Sequence, residues 1–176
     1  LGSWGRSIWE LSRGIDNRPV EPGNQAQSMG AEETFEHDLT DRRDIERHLL
    51  AQCQRVGQRL CEEGLGGYVV TTKIKFSDFT LKSRQMRLPE PVFDTTTIYE
   101  TARSLLDRFE LAGARVRLVG VSVSELCEKP QQPALFIDAE QEKRKRLERV
   151  FAKVDEKFGR GSITRATLLH DEDGDE

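Results

Sequence analysis

The sequence is poor in the residues that carry most enzyme chemistry. Its 176 residues hold only three cysteines and three histidines. Cys53, Cys61 and Cys127 form no Cys-x-x-Cys pair, and His37, His48 and His170 are scattered without metal-ligand spacing. No Ser-His-Asp or Cys-His arrangement can be drawn. The many carboxylates fall on expected helix surfaces or in the C-terminal block, where a solvated face is the plain reading. A catalytic or metal centre within this chain is therefore not expected, and neither is a cofactor. Long apolar runs are missing too, so no membrane span is expected, and the N-terminal stretch does not read as a signal peptide. Thiols without pairing motifs, with Cys53 and Cys61 inside a helical pattern, point to a reducing cytoplasm. Gly64, Gly66 and Gly67 follow a helix and precede a strand, the reverse of the order a phosphate loop needs. No internal repeat is present.

What is there is charge, at 33% of residues against 36% apolar, and the charge is unevenly spread. The net charge is −4, but five acidic groups lie among Asp171-Glu172-Asp173-Gly174-Asp175-Glu176, and without them the remainder stands at +1. A terminal block of one sign reads as an acidic disordered tail, residues 170–176. The stretch from Gly66 to Arg84, GGYVVTTKIKFSDFTLKSR, reads as a strand, a tight turn and a second strand. Tyr68, Val70, Ile74 and Phe76 share one parity, while Val69, Thr71, Lys73, Lys75 and Ser77 share the other. Side chains alternate faces along a strand, so one face is apolar and covered and the other is open and basic. Lys82, Ser83 and Arg84 extend the basic character into the second strand. Such a face can lie along a phosphate backbone, and it can equally be the solvated side of an ordinary antiparallel sheet.

The rest of the chain supplies partners for the covered face. Trp4, Ile8 and Leu11 have helical spacing, and Gly14 stops that helix. Residues 15–27, with two prolines and no periodicity, read as a linker. Ser28 to Phe35 reads as a short strand. Ile45, Leu49, Cys53, Val56 and Leu60 make an apolar helical stripe, with Asp41 as N-cap, Asp44 in the first turn and Gly64, Gly66 and Gly67 as terminators. Pro89 and Pro91 break the chain. Thr97-Ile98-Tyr99-Glu100 reads as a capping box, followed by Ile98, Ala102, Leu105 and Phe109, and the helix closes near Gly113. Arg115 to Leu126 reads as a strand with Val119, Val121 and Val123 on one face and Leu118, Gly120, Ser122 and Ser124 on the other. Glu128 to Asp138 reads as a loop. Gln141 to Phe158 reads as a helix with Leu147, Val150, Val154 and Phe158 facing inwards, and Ser162 to Leu169 as a short edge strand. The order β-α-β-β-α-β predicts an α+β fold, a four-stranded sheet with two main helices on one face and a C-terminal helix added.

Five segments, in order, resemble the C-terminal part of Y-family lesion-bypass DNA polymerases of the DNA polymerase IV type. They are Trp4-Gly5 with Gly14 to Val20, Ser28 to Phe35, Lys73 to Thr80, Arg117 to Ser124, and Phe158-Gly159 with Ile163 to Ala166. The resemblance implies the end of a thumb domain in residues 1–14, a linker in 15–27 and a little finger DNA-binding domain in 28–169. It implies a DNA-directed DNA polymerase as parent, with catalytic carboxylates and two magnesium ions in an upstream palm, so that this chain alone is inactive. The partner implied is double-stranded primer-template DNA in a bacterial cytoplasm, at the nucleoid. Carried over by position, phosphate contacts fall to Ser28, Gly30 and Thr34, to Ser83 and Arg84, and to Arg117, Gly120 and Ser122. Lys73 and Lys75 join them from the open face itself. Small residues are expected to let backbone N–H groups approach phosphates. Ala31, Glu32 and Leu118 depart from the more basic members, which implies weak DNA affinity.

Gln132-Pro133-Ala134-Leu135-Phe136 resembles the bacterial sliding-clamp binding peptide, with Pro133 in place of its usual leucine. Gln132 would hydrogen-bond at the pocket rim, and Leu135 and Phe136 would anchor. Packing of Leu135 and Phe136 into the domain's own core is the alternative. Two other functions fit the pattern less fully: a non-catalytic Y-family relative that docks polymerases or clamp, and an RNA-binding sheet, which would need an exposed aromatic platform that Tyr68, Phe76 and Phe79 are not expected to offer on the basic face.

Overall fold

Apolar residues at period two on the strands and period 3.6 on the helices meet in one layer. A computed structural model of the chain describes residues 2–19, 26–128, 139–159, 162–163 and 165–168. Its elements are α1 (Gly2–Ser12), β1 (Ser28–Leu39), α2 (Arg42–Glu62), β2 (Leu65–Phe76), β3 (Leu81–Val92), α3 (Thr95–Leu106), β4 (Val116–Glu128), α4 (Ala139–Phe158) and a 3-10 turn, Ala166–Leu168. The strands form one antiparallel sheet in the order β1-β4-β2-β3. β4 is thus inserted between β1 and β2, the two strands that α2 connects. β2 likewise separates β3 from β4, the two that α3 connects. Helices α2 and α3 pack together on one face of the sheet, as the element order predicts.

The α2 stripe Ile45, Leu49, Cys53, Val56 and Leu60 is no more than 2% exposed. It meets Ile98, Ala102 and Leu106 of α3 and Phe35, Val70, Ile74, Val119, Val121 and Val123 of the sheet. Each large aliphatic side chain so buried contributes about 1.5–3 kcal/mol by leaving water. Burial also pushes the Cys53 thiol far above its ordinary pKa, so it is an inert packing group. Cys61 and Cys127 are half-buried free thiols. Two fully buried polar side chains are answered: Thr72 Oγ1 donates to the Ala102 carbonyl at 3.2 Å, and Gln52 Nε2 donates to Glu33 Oε2 at 2.7 Å.

Several local expectations are corrected. β1 runs four residues beyond Phe35, to Leu39. Gly64, at φ +66, is the terminator of α2, whereas Gly66 and Gly67 lie inside β2. A Cβ on Gly66 would collide with the Phe93 ring, and one on Gly67 with Val123. Pro89 and Pro91 do not end the second strand but lie within β3. They are tolerated because β3 is an edge and its pairing to β2 slips between Gly67↔Val92 and Val69↔Arg87. The N-cap of α3 is Asp94, which accepts from Thr97 N at 2.9 Å and Thr97 Oγ1 at 2.8 Å, so Thr97 is a third-position partner rather than the cap. α3 stops at Leu106, and Phe109 reaches the core from the following turn. On α4, Leu147 and Val150 are each 47% exposed and Phe158 is 66% exposed, so the expected inward face is largely solvated. Phe151 and Asp155 turn towards α2 instead, and Asp155 accepts from Gln58 Nε2 at 2.7 Å. The expected strand over 162–169 is, in its described part, the 3-10 turn.

Candidate nucleic-acid interface

The face opposite the helices is built from four rows of side chains that cross the sheet. The ladder registers give Ser28, Ser124, Val69 and Arg87 in the first row and Gly30, Ser122, Thr71 and Gln85 in the second. Glu32, Gly120, Lys73 and Ser83 form the third, and Thr34, Leu118, Lys75 and Leu81 the fourth. Helices α2 and α3 pack on the other side, and this face carries hydroxyls, amides and amines around the buried Val69 and Leu118. Of the residues expected to bind DNA, Ser28, Gly30, Thr34, Lys73, Lys75, Ser83, Gly120 and Ser122 come together here.

Arg84 does not. It opposes the buried Thr72 and therefore points to the helix side. There its Nε donates to the Arg108 carbonyl at 3.2 Å, and its guanidinium lies 5.2 Å from the centroid of Phe109. Lys82 shares that side, with Nζ 5.5 Å from the Phe76 centroid. The basic character of β3 is thus split between the faces. Arg117 reaches the open side for a different reason. The register slips between Lys75↔Leu118 and Phe76↔Val116, leaving Arg117 as the extra residue of a bulge on β4. Its guanidinium lies 5.1 Å from the Phe79 centroid and 3.7 Å from Asp38 Oδ1, and Arg115 approaches Asp38 Oδ2 at 3.5 Å.

The centre of the face is electrostatically closed on itself. Lys73 Nζ donates to Glu32 Oε2 at 2.8 Å across Gly120. Gly120 is what permits the crossing, since a Cβ there would stand 2.8 Å from the Glu32 Cβ. β4 is an inner strand whose backbone groups serve the ladders on both sides, so Gly120 and Ser122 offer side-chain space and a hydroxyl rather than free N–H groups. This corrects the expected backbone approach to phosphates. On the edge strand β1, the Gly30 carbonyl accepts from Arg59 Nη1 at 3.0 Å. Arg87 pairs with Glu125 at 2.8 Å and lies over Tyr68, with 5.0 Å to the ring centroid.

The β2–β3 turn closes this end of the sheet. Ser77, Asp78 and Phe79 form a three-residue loop closed by Phe79 N to Phe76 O at 3.0 Å and Phe76 N to Thr80 O at 3.0 Å. Asp78 accepts from Thr80 N and Oγ1 at 2.8 and 2.9 Å, and these bonds hold its carboxyl below the usual carboxylate range. Phe79 sits at φ +64 and is 62% exposed. Gln85 and Arg87 are open-face residues that sequence reasoning missed, and Phe79, whose ring it discounted as a platform, stands exposed at the turn beside that face. Parity counted from Ser83 would have found the first two, whereas the αL backbone of Phe79 has no signal in the sequence. Gln132, Leu135 and Phe136 lie outside the described residues, as do the tail residues 170–176. Among the described residues, no three His, Cys, Asp or Glu side chains come together to hold a metal ion, and no helix is long and apolar enough to cross a membrane.

Residues 26–135 match the family described as the impB/mucB/samB family C-terminal domain. Among curated proteins, DNA polymerase IV of Desulfatibacillum aliphaticivorans is 35% identical over 174 residues, 97% of this chain and 44% of that protein. DNA polymerase IV of Leptospira interrogans is 35% identical over 145 residues, 78% of this chain and 40% of that protein. That of Akkermansia muciniphila is 34% identical over 132 residues, 75% of this chain and 37% of that protein. The chain thus spans less than half the length of these relatives. A solved complex of the beta-clamp processivity factor and the little finger domain of PolIV is 24% identical, with a TM-score of 0.48 over 64% of this chain and 98% of that one.

Proposed function

This chain belongs to the impB/mucB/samB family of C-terminal domains, and from that premise we propose that it is the little finger DNA grip of a DNA-directed, lesion-bypass DNA polymerase. Its open sheet face would follow the phosphates of primer-template duplex. The observation that carries this reading is the crossing of Ser28, Thr34, Lys73, Lys75, Ser83 and Ser122 into adjacent rows on the face opposite α2 and α3. Hydroxyl and ammonium donors at strand spacing suit phosphate oxygens and read no base edges, as an enzyme that works anywhere on a template requires. The polymerase names of the curated relatives favour this over a docking-only protein.

The same reading assigns residues 1–14 to the end of a thumb, 15–27 to a linker, 28–169 to the grip and 170–176 to an acidic tail. It places the protein in the bacterial cytoplasm, at the nucleoid. Divalent-metal chemistry belongs to a polymerase palm. The described residues of this chain gather no donor set for it, so no step through magnesium is assigned to them. The likeness of Gln132, Leu135 and Phe136 to a clamp-binding peptide supports a sliding clamp as a second partner.

Binding of duplex DNA should be weak, indifferent to sequence and salt-dependent. Three to four phosphate contacts give a log–log salt slope of about −3 to −4. By fluorescence anisotropy, Arg117→Ala or Lys75→Ala should each flatten the slope by about one, while Arg84→Ala should leave it unchanged. A slope near zero, or strong preference for one sequence, overturns the reading.

A further inference from the structure

The hairpin tip holds an aromatic residue in a way that packing does not explain. Phe79 occupies a left-handed backbone position, φ +64, in a three-residue loop where Gly or Asn is the usual choice. The residue is 62% exposed and takes no part in the core. A backbone outlier held in place at a loop tip is where a functional side chain is sought. Lys75 Nζ and Arg117 Cζ each lie 5.1 Å from the ring centroid. One comes from β2 and the other from the bulge on β4, so the strand register itself brings two cations to one exposed ring.

We propose that Phe79 is a stacking platform for the first unpaired base beyond the gripped duplex, with Lys75 and Arg117 holding the last duplex phosphates beside that base. The proposal rests on the DNA-gripping reading above and names which part of the substrate this corner recognises. Within a duplex both faces of a base are occupied by its neighbours, so a protein ring finds a free face only on an unpaired or terminal base. Stacking on an exposed ring is tolerant of base identity and works together with cations that follow the backbone. The open rows of the sheet hold duplex phosphates, and Phe79 lies in the hairpin turn beyond the fourth row, where those rows run out. A single-stranded extension leaving the gripped duplex is the occupant that matches an exposed ring and two cations at one corner.

The test uses three DNAs sharing one duplex: blunt, with a single-stranded extension carrying 2-aminopurine beside the junction, and with an extension of abasic sites. The abasic extension has the same phosphates and no bases. The wild-type chain is expected to bind the base-carrying extension about tenfold more tightly than the abasic one at equal salt, and to change 2-aminopurine emission. Phe79→Gly relieves the backbone strain and removes the ring. It should lose that preference and the emission change, keep its affinity for blunt duplex, and melt no lower than wild type. Phe79→Trp should retain the preference. If Phe79→Gly keeps the preference, or melts lower because the ring is structural, the inference is overturned. Wild-type binding to blunt duplex with no preference between the extensions overturns this inference alone. Failure to bind any of the three DNAs overturns the gripping function itself.

Discussion

Glu32 is the residue on which the strength of the open face turns. Its carboxylate occupies the Lys73 ammonium at 2.8 Å, with the two side chains 51% and 41% exposed. An exposed pair of this kind is worth about 0–1 kcal/mol, so a phosphate can displace it, though the displacement lowers the net gain. Glu32→Gln should therefore raise duplex affinity several-fold and steepen the salt slope by about one, measured by anisotropy against salt. Unchanged affinity would place Lys73 outside the contact. Lys73, Gly120 and Ser122 were legible as open-face residues because strand parity is strict over a short span. Arg84 was not, because its face depends on the number of residues in the β2–β3 turn. That turn uses Phe79 in the left-handed position, so the glycine or asparagine that would announce a three-residue loop is absent. Arg117 was given a phosphate contact by resemblance alone, and its route to the open side is a bulge that alternation would not place.

At the scale of elements, α3 shows how a cap sets a boundary. Asp94 answers both the backbone N–H and the hydroxyl of Thr97. Asp94→Ala should cost about 1 kcal/mol, read as a fall in the urea midpoint, and should leave DNA affinity unchanged. A loss no larger than that of a surface substitution would return the cap to Thr97. The stripe of α2 was fully legible, since a long helix with a buried side fixes its own phase. The face of α4 was not. Its apolar residues are diluted among Lys, Arg and Glu, and the polar Gln58–Asp155 contact with α2 chooses a face that hydrophobic period alone does not reveal. β3 was misread at its end because prolines stop inner strands and not edge strands, and sheet position is invisible until all four strands are ordered.

At the scale of the whole molecule, the element order carried the architecture. Two helices with clean stripes and strands with one apolar parity leave a single-layer sheet covered on one side as the simplest packing. The Gln132–Phe136 segment belongs to this scale, because it would tether the grip to a ring around DNA. Each anchor buried in a clamp pocket contributes about 1.5–3 kcal/mol. With about 1.4 kcal/mol per tenfold, the double change Leu135→Ala and Phe136→Ala should weaken clamp binding at least a hundredfold in calorimetric titration. An unchanged melting temperature makes those side chains a docking peptide, and early melting makes them core. The edges of the sheet matter at this scale too. A sheet with two open edges, β1 and β3, invites neighbouring copies to zip on, strand beside strand, and so to aggregate. Pro89 and Pro91 have no N–H to offer along the outer side of β3, so an incoming chain meets an interrupted ladder there. Self-association through the sheet is left to β1, where the Arg59 guanidinium already occupies the Gly30 carbonyl.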